Sequence, residues 1–175
     1  GRGPEGSSTW YYYDHPTPGT ANTSQGKAHL LTIPVTMSPP GGIHPGVFTV
    51  TLAGAGENDS IYYTTDGSVP DGSDALYTGP IYIAGSQVIR ARVMADSALP
   101  GPVASHTYIT GIDHDVPVIC LSTDPDNLWD FETGIFAYGP HAQADFPFFN
   151  ANFWMDWERP VHVEFFDNEG VRQID

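Results

Sequence analysis

Short apolar runs separated by turn residues fill the middle of the chain. Between residues 30 and 110 the runs read LLTIPVTM, GVFTVTLAG, SIYYTTDG, GPIYIAG, QVIRARVMA and ASHTYIT. Each run is rich in Val, Ile, Thr and Tyr and is bounded by Gly, Pro, Asp or Ser, which is typical of strands. Strands at this spacing predict an antiparallel β-sandwich of the immunoglobulin or fibronectin type III kind.

The run QVIRARVMA shows which residues we expect inside. Strict alternation directs Ile89, Ala91 and Val93 toward the core. Arg90 and Arg92 then lie on the solvated face, where we expect them to pair across strands with the plentiful acidic side chains.

The pattern changes after residue 112. Residues 116–121 predict a short buried strand, and Ser122 or Thr123 is expected to cap a short turn or helix. Residues 160–166 alternate as a strand, and the DNEG turn leads to a further strand from Val171. The sequence ends at Asp175 as that strand begins, so we expect the β-rich start of an incomplete α+β domain. The predicted organisation is an aromatic strand and linker at 1–29, a sandwich at 30–112 and this truncated domain at 113–175.

Composition agrees with a mainly β protein. Aromatic residues make up 13% of the chain, and it contains 19 Gly and 16 Pro, a mixture that favours strands and turns. A net charge of -15 repels phosphate backbones, so nucleic acid is not expected as a partner. No run reaches the roughly 18 apolar residues of a membrane-spanning helix. We expect an extracellular or cell-surface protein whose signal peptide is not present in this chain.

Three places in the sequence are candidate chemical sites. Cys120, the single cysteine, lies in the apolar run VPVICLS and is expected to be a small core residue rather than a nucleophile. Alternating acids after it could hold a metal, although the EF-hand pattern fails at Leu128, so turn and capping roles are favoured for them. These acids are Asp124, Asp126, Asp130 and Glu132. The DHD sequence at residues 113–115 is interpreted as a polar hinge, with a metal site as the alternative.

The run FPFFNANFWMDW, residues 146–157, is rich in rings. Buried packing is the favoured interpretation, because aromatic runs usually supply core area. The alternative is a sugar-stacking surface on which Trp154 and Trp157 contact a glycan.

Spaced elements between residues 36 and 110 resemble the fibronectin-associated, chitobiase C-terminal-type β-sandwich module. They are YTTDGSVP at residues 63–70, Leu76-Tyr77, a Gly-Pro-Ile strand at 79–81 and VIRA at 88–91. The resemblance implies an accessory sandwich, in which the catalytic carboxylates of a glycosidase would sit elsewhere. It assigns a structural turn to Asp66, Gly67, Pro70, Gly79 and Pro80.

Two further segments resemble known families. VPVICLSTDPDNLWDFETGIFAYG, residues 116–139, and WERPVHVEFFDNEG, residues 157–170, resemble the start of the spore-coat protein H (CotH) kinase family. HPTPGTAN, residues 15–22, is similar to the end of a lamin-tail-like domain. The CotH resemblance implies ATP and a divalent metal for a full-length protein. The single lysine, Lys27, precedes the sandwich, so we expect no catalytic or cofactor-binding residues in this chain.

Three functions remain open on the sequence. The first is a non-catalytic fragment of an exported or surface bacterial protein, in which the sandwich is a spacer or adhesion element with a protein or glycan partner. The second is the accessory region of an atypical kinase whose catalytic residues lie downstream. The third is a carbohydrate-binding accessory module.

Overall fold

The computed structural model describes residues 10–15, 17–22, 24–112 and 115–174. These residues form short strands joined by turns, with one helical turn and one 3₁₀ turn at Asn152–Trp154. In chain order the elements are β1 His29–Leu30, β2 Thr36–Ser38, β3 Gly42–His44, β4 Phe48–Ala53, β5 Ser60–Thr64, β6 Ala75–Leu76, β7 Ile81–Ile83, β8 Gln87–Met94, β9 Ala98–Leu99, β10 Ala104–Thr110, β11 Val118–Ser122, α1 Asp126–Trp129, β12 His162–Phe166 and β13 Arg172–Ile174.

Two sheets pack face to face between residues 35 and 110. One has the strand order β2-β4-β7 and the other the order β3-β10-β8-β5-β6. Their inner side chains form one apolar core, in which Val50, Ile83 and Ile89 have no exposed surface. The β-rich class and the sandwich are therefore confirmed, and β8 buries Ile89, Ala91 and Val93 as its alternation predicts.

The pairing of β3 differs from the predicted antiparallel arrangement. β2 lies in the first sheet, but β3, four residues later, pairs parallel with β10 in the second. Pro39 and Pro40 between them have no backbone N–H to give to a ladder, so the chain leaves the first sheet there and enters the second.

Residues 27–30 lie against the sandwich. β1 pairs parallel with β9, and Tyr12 of the aromatic cluster before it makes an antiparallel bridge with Lys27. The Lys27 ammonium donates a hydrogen bond to the Asp96 carbonyl at 2.7 Å. The lysine is thus engaged in holding this segment against the sandwich.

The third sheet, β11-β12-β13, follows the sandwich and has unequal faces. Glu164 and Phe166 of β12 point inward and are fully buried. On the outer face Ile119 is 64% exposed and Leu121 is 67% exposed. The prediction that residues 116–121 form a buried strand is wrong for this face, because the sandwich covers only one side of the sheet.

The α1 turn begins differently from the prediction. Pro125 is its N-cap residue, and the Asp124 carboxylate, not Ser122 or Thr123, accepts the N–H of Asp126. Thr123 instead donates its hydroxyl to the Pro160 carbonyl, since its side chain points toward the segment before β12. α1 has four residues, and among the described residues no helix is long and apolar enough to cross a membrane.

Candidate functional site

The Asp-Gly turn after β5 is built by its own side chains. The Asp66 carboxylate accepts hydrogen bonds from the Ser68 N–H at 2.9 Å and from its hydroxyl at 2.6 Å. These bonds, with the hydroxyl bond the largest contribution, lower the pKa of Asp66. Gly67 has a φ of 92°, which L side chains rarely adopt, and Pro70 is buried. The turn assigned from sequence therefore has a fixed shape.

This turn contacts the chain that follows the sandwich. The Val69 N–H donates to the Asp124 carboxylate at 3.1 Å. A Cβ atom on Gly67 would lie 2.8 Å from the Thr123 carbonyl oxygen, so only glycine permits the approach. The same turn is thus both a structural element of the sandwich and a contact surface for residues 123–124.

Arg90 of β8 joins the Asp-Gly turn to β10 through hydrogen bonds. Its guanidinium donates to the Gly67 carbonyl at 2.6 Å and to the Ser105 hydroxyl at 3.1 Å. Burial lowers the pKa of Arg90, and the nearby Asp124 carboxylate acts against that shift. Arg90 and Arg92 lie on the face of β8 opposite the core, as predicted, and acids lie near both, but the two side chains are half-buried rather than solvated.

A second contact joins β12 to the sandwich through a buried carboxylate. Glu164 has no exposed surface, and it accepts the Thr107 N–H at 2.7 Å. Its other oxygen lies 3.4 Å from the Arg172 guanidinium on β13. A Cβ atom on Gly41 would lie 3.0 Å from that same oxygen, so this position also requires close backbone approach. One side chain therefore links β10, the β2–β3 crossing and β13.

Tyr108 lies beside this carboxylate in the sandwich core. Its hydroxyl donates to the Pro39 carbonyl at 3.0 Å. Burial, and then the nearby negative charge of Glu164, raise the pKa of Tyr108 well above its usual range. The phenol is thus a neutral hydrogen-bond donor at physiological pH.

A cleft of about 480 Å³ lies between the sandwich and β11. Most of its lining is apolar, with Val88, Ile109 and Leu128 among the walls. Cys120 also lines it and is half-buried rather than a core residue. Burial, with a further contribution from Glu164, raises the pKa of the Cys120 thiol, so the reactive thiolate is disfavoured at neutral pH.

The four acids considered as metal ligands lie in turns. The Asp124 carboxylate is used by Val69 and Asp126, and the Asp130 carboxylate accepts the Glu132 and Thr133 N–H groups. Among the described residues no group of three or more His, Cys, Asp or Glu side chains could hold a metal ion. Asp113 and His114 of the DHD sequence lie outside the described residues.

The aromatic run at 146–157 is not buried as predicted. Phe146 is 86% exposed and Trp154 is 54% exposed, because the run forms a surface loop that contains the short 3₁₀ turn. The ring of Trp154 is tilted by 40° to that of Phe149 and by 45° to that of Phe153. The Arg159 guanidinium lies 5.0 Å from the Trp157 ring centroid. Glycan contact by Trp154 and Trp157 stays a prediction.

Glu164 is a residue that the sequence patterns do not single out. The alternation in the run HVEFF places Glu164 on the same side of the strand as Phe166. This position is the sequence signal that points to Glu164. A charged residue on an apolar strand face either stays exposed to water or is buried beside a hydrogen-bonding or charged partner. The docking of the third sheet on the sandwich buries Glu164 beside a partner, and this docking cannot be read from the strand alone.

Comparison with known proteins supports part of the sequence interpretation. Residues 39–105 match the family model described as the chitobiase/beta-hexosaminidase C-terminal domain. No curated protein and no solved structure matched the chain. The matched residues include the Asp-Gly turn and the first two residues of β10, whereas Thr107, whose N–H meets Glu164, lies beyond them. The CotH and lamin-tail resemblances stay predictions, and the family match supports a chitobiase/beta-hexosaminidase C-terminal-type module at residues 39–105.

Proposed function

We propose that the sandwich is a non-catalytic accessory module that holds the β11–β13 sheet in a fixed orientation. The observation that carries this proposal is the buried Glu164 carboxylate, which reaches from the third sheet to a backbone N–H of the sandwich. An exposed, mobile linkage would not sustain a carboxylate without solvent, because an unsolvated charge needs fixed partners.

The Asp-Gly turn supports the same role. It lies apart from Glu164 along the chain and contacts residues 123–124 through Gly67 and Val69. Two contacts that involve different strands restrict rotation more than one contact would. A module of this kind serves as a spacer that presents its neighbour in one direction.

The setting that we propose is an exported or cell-surface multidomain protein. The matched family is named for chitobiase and beta-hexosaminidase, so a glycoside-processing protein is one such setting. The CotH resemblance of residues 116–139 and 157–170 supports another, an atypical kinase for which this chain is an accessory region. ATP and a divalent metal would then be held by residues outside this sequence.

The orientation itself can be measured. Residual dipolar couplings of backbone amides in the 175-residue protein should fit a single alignment tensor for the sandwich and for β11–β13. Two tensors of different magnitude would contradict the proposal, because they indicate independent reorientation of the two parts.

A further inference from the structure

Residues 129–158 have an unusual composition for a surface segment. They contain ten aromatic residues and five acids, with neither Lys nor Arg. Most of these rings have more than a third of their surface exposed, including Trp129, Phe136 and Tyr138. An exposed aromatic surface of this extent is uncommon on a soluble protein and marks an interaction site.

Six of the rings form one connected array. Neighbouring ring centroids along it are 5.0 to 6.2 Å apart. In order of contact the members are Phe146, Phe148, Tyr138, Phe153, Trp154 and Phe149. We call this set the aromatic array. Several of its contacts are edge-to-face, so the rings present ridges and grooves rather than one flat surface.

Hydrogen bonds from two side chains to backbone carbonyls hold the array in place. Asn152 is buried and its amide donates to the carbonyls of Phe131, Glu132 and Gly134. The Trp154 indole N–H donates to the Pro147 carbonyl at 3.1 Å. These bonds fix the loop from beneath, so a ligand does not have to order the exposed rings before it binds.

The acidic residues next to the aromatic array indicate which class of ligand it can bind. Asp145 precedes Phe146, Asp156 follows Trp154 by two residues, and both carboxylates are exposed. Ring faces and carboxylates each attract cations, whereas both repel anions. The described residues contain an example of this chemistry, since the Arg159 guanidinium lies over the Trp157 ring. Ring planes tilted by 40° to 87° do not offer the coplanar platform that a flat sugar chain needs.

We propose that the aromatic array binds an arginine-containing segment of a partner polypeptide. Guanidinium groups stack on the exposed ring faces while the neighbouring carboxylates accept their N–H groups. Arginine is preferred to lysine because its planar, weakly hydrated group suits both contacts.

An NMR titration with a capped Gly-Arg-Gly-Arg-Gly-Arg hexapeptide at about 150 mM salt tests the proposal, with the Trp154 indole N–H as one reporter. Phe146→Ala and Phe149→Ala should each weaken binding about three-fold, as expected for an exposed cation–ring contact. Tyr82→Ala removes a ring of the sandwich whose exposure lies between those of Phe146 and Phe149, and it should leave the affinity unchanged. The matched lysine hexapeptide should bind several-fold more weakly.

Three results would overturn the proposal. Equal affinities for the two peptides and for all three variants would show attraction by bulk charge alone. Binding of a neutral N-acetylglucosamine hexamer, lost in Phe146→Ala and without peptide binding, would make the array a glycan site. A peptide that produces no shift up to millimolar concentration would exclude the array as a cation site.

Discussion

Glu164→Ala is expected to lower the free energy of unfolding by about 3 kcal/mol, because it breaks a buried, hydrogen-bonded charge contact. The Thr107 N–H loses its acceptor in a water-excluded position, and the missing side chain leaves a cavity beside Tyr108. This loss of stability lies at the low end of the range for buried pairs, since Arg172 is partly exposed and water can hydrate its guanidinium once Glu164 is removed. Urea denaturation followed by tryptophan fluorescence measures the change.

The control for this substitution is Glu169→Ala. Glu169 is exposed in the turn between β12 and β13, so its removal should change stability by less than about 0.5 kcal/mol. Glu164→Gln keeps the size and one acceptor oxygen, and an intermediate loss is expected. A loss below about 1 kcal/mol for Glu164→Ala would contradict the role of the carboxylate as a buried link.

Gly67→Ala is expected to cost about 3 kcal/mol for two separate reasons. Alanine in the left-handed region is strained by about 1 to 2 kcal/mol. Its Cβ atom would also meet the Thr123 carbonyl oxygen at 2.8 Å, so residues 123–124 must move away from the turn. Chemical denaturation gives the size of the loss, and chemical shifts of Thr123 and Asp124 show whether the contact opens.

A matched control lies five residues away in the same loop. Gly72 follows Asp71 as Gly67 follows Asp66, but a Cβ atom there has no neighbour within 4 Å and its φ is not left-handed. Gly72→Ala should therefore be neutral or slightly stabilising. If both alanine variants lost the same stability, the special role of Gly67 in the contact would be wrong.

The sequence predicts the sandwich well because its elements follow local rules. The alternation of β8 identifies Ile89, Ala91 and Val93 as core residues, and Asp66-Gly67 identifies the turn. Period-two alternation separates the two faces of a strand, and turn chemistry depends on neighbouring residues alone. Neither rule requires knowledge of what packs on the finished sandwich.

The contact between the sandwich and the third sheet could not be predicted in the same way. Alternation in β12 separates Val163 and Phe165 from Glu164 and Phe166, but it favours the apolar pair as the covered one, whereas Glu164 and Phe166 are buried. The choice depends on the Thr107 N–H of a strand more than 50 residues earlier. Exposure of the aromatic run was missed for a related reason, since composition alone suggests burial for Phe146 and Trp154.

One hydrogen bond joins the sandwich to the third sheet at Glu164, and amide hydrogen exchange can report it. The Thr107 N–H, bonded to Glu164, should exchange at least about a hundred-fold more slowly than an unprotected amide. Glu164→Gln should accelerate exchange at Thr107 while leaving the core amide of Val93 unchanged. Exchange of Thr107 in the native protein at the rate of an exposed amide would contradict the docking of the third sheet on the sandwich.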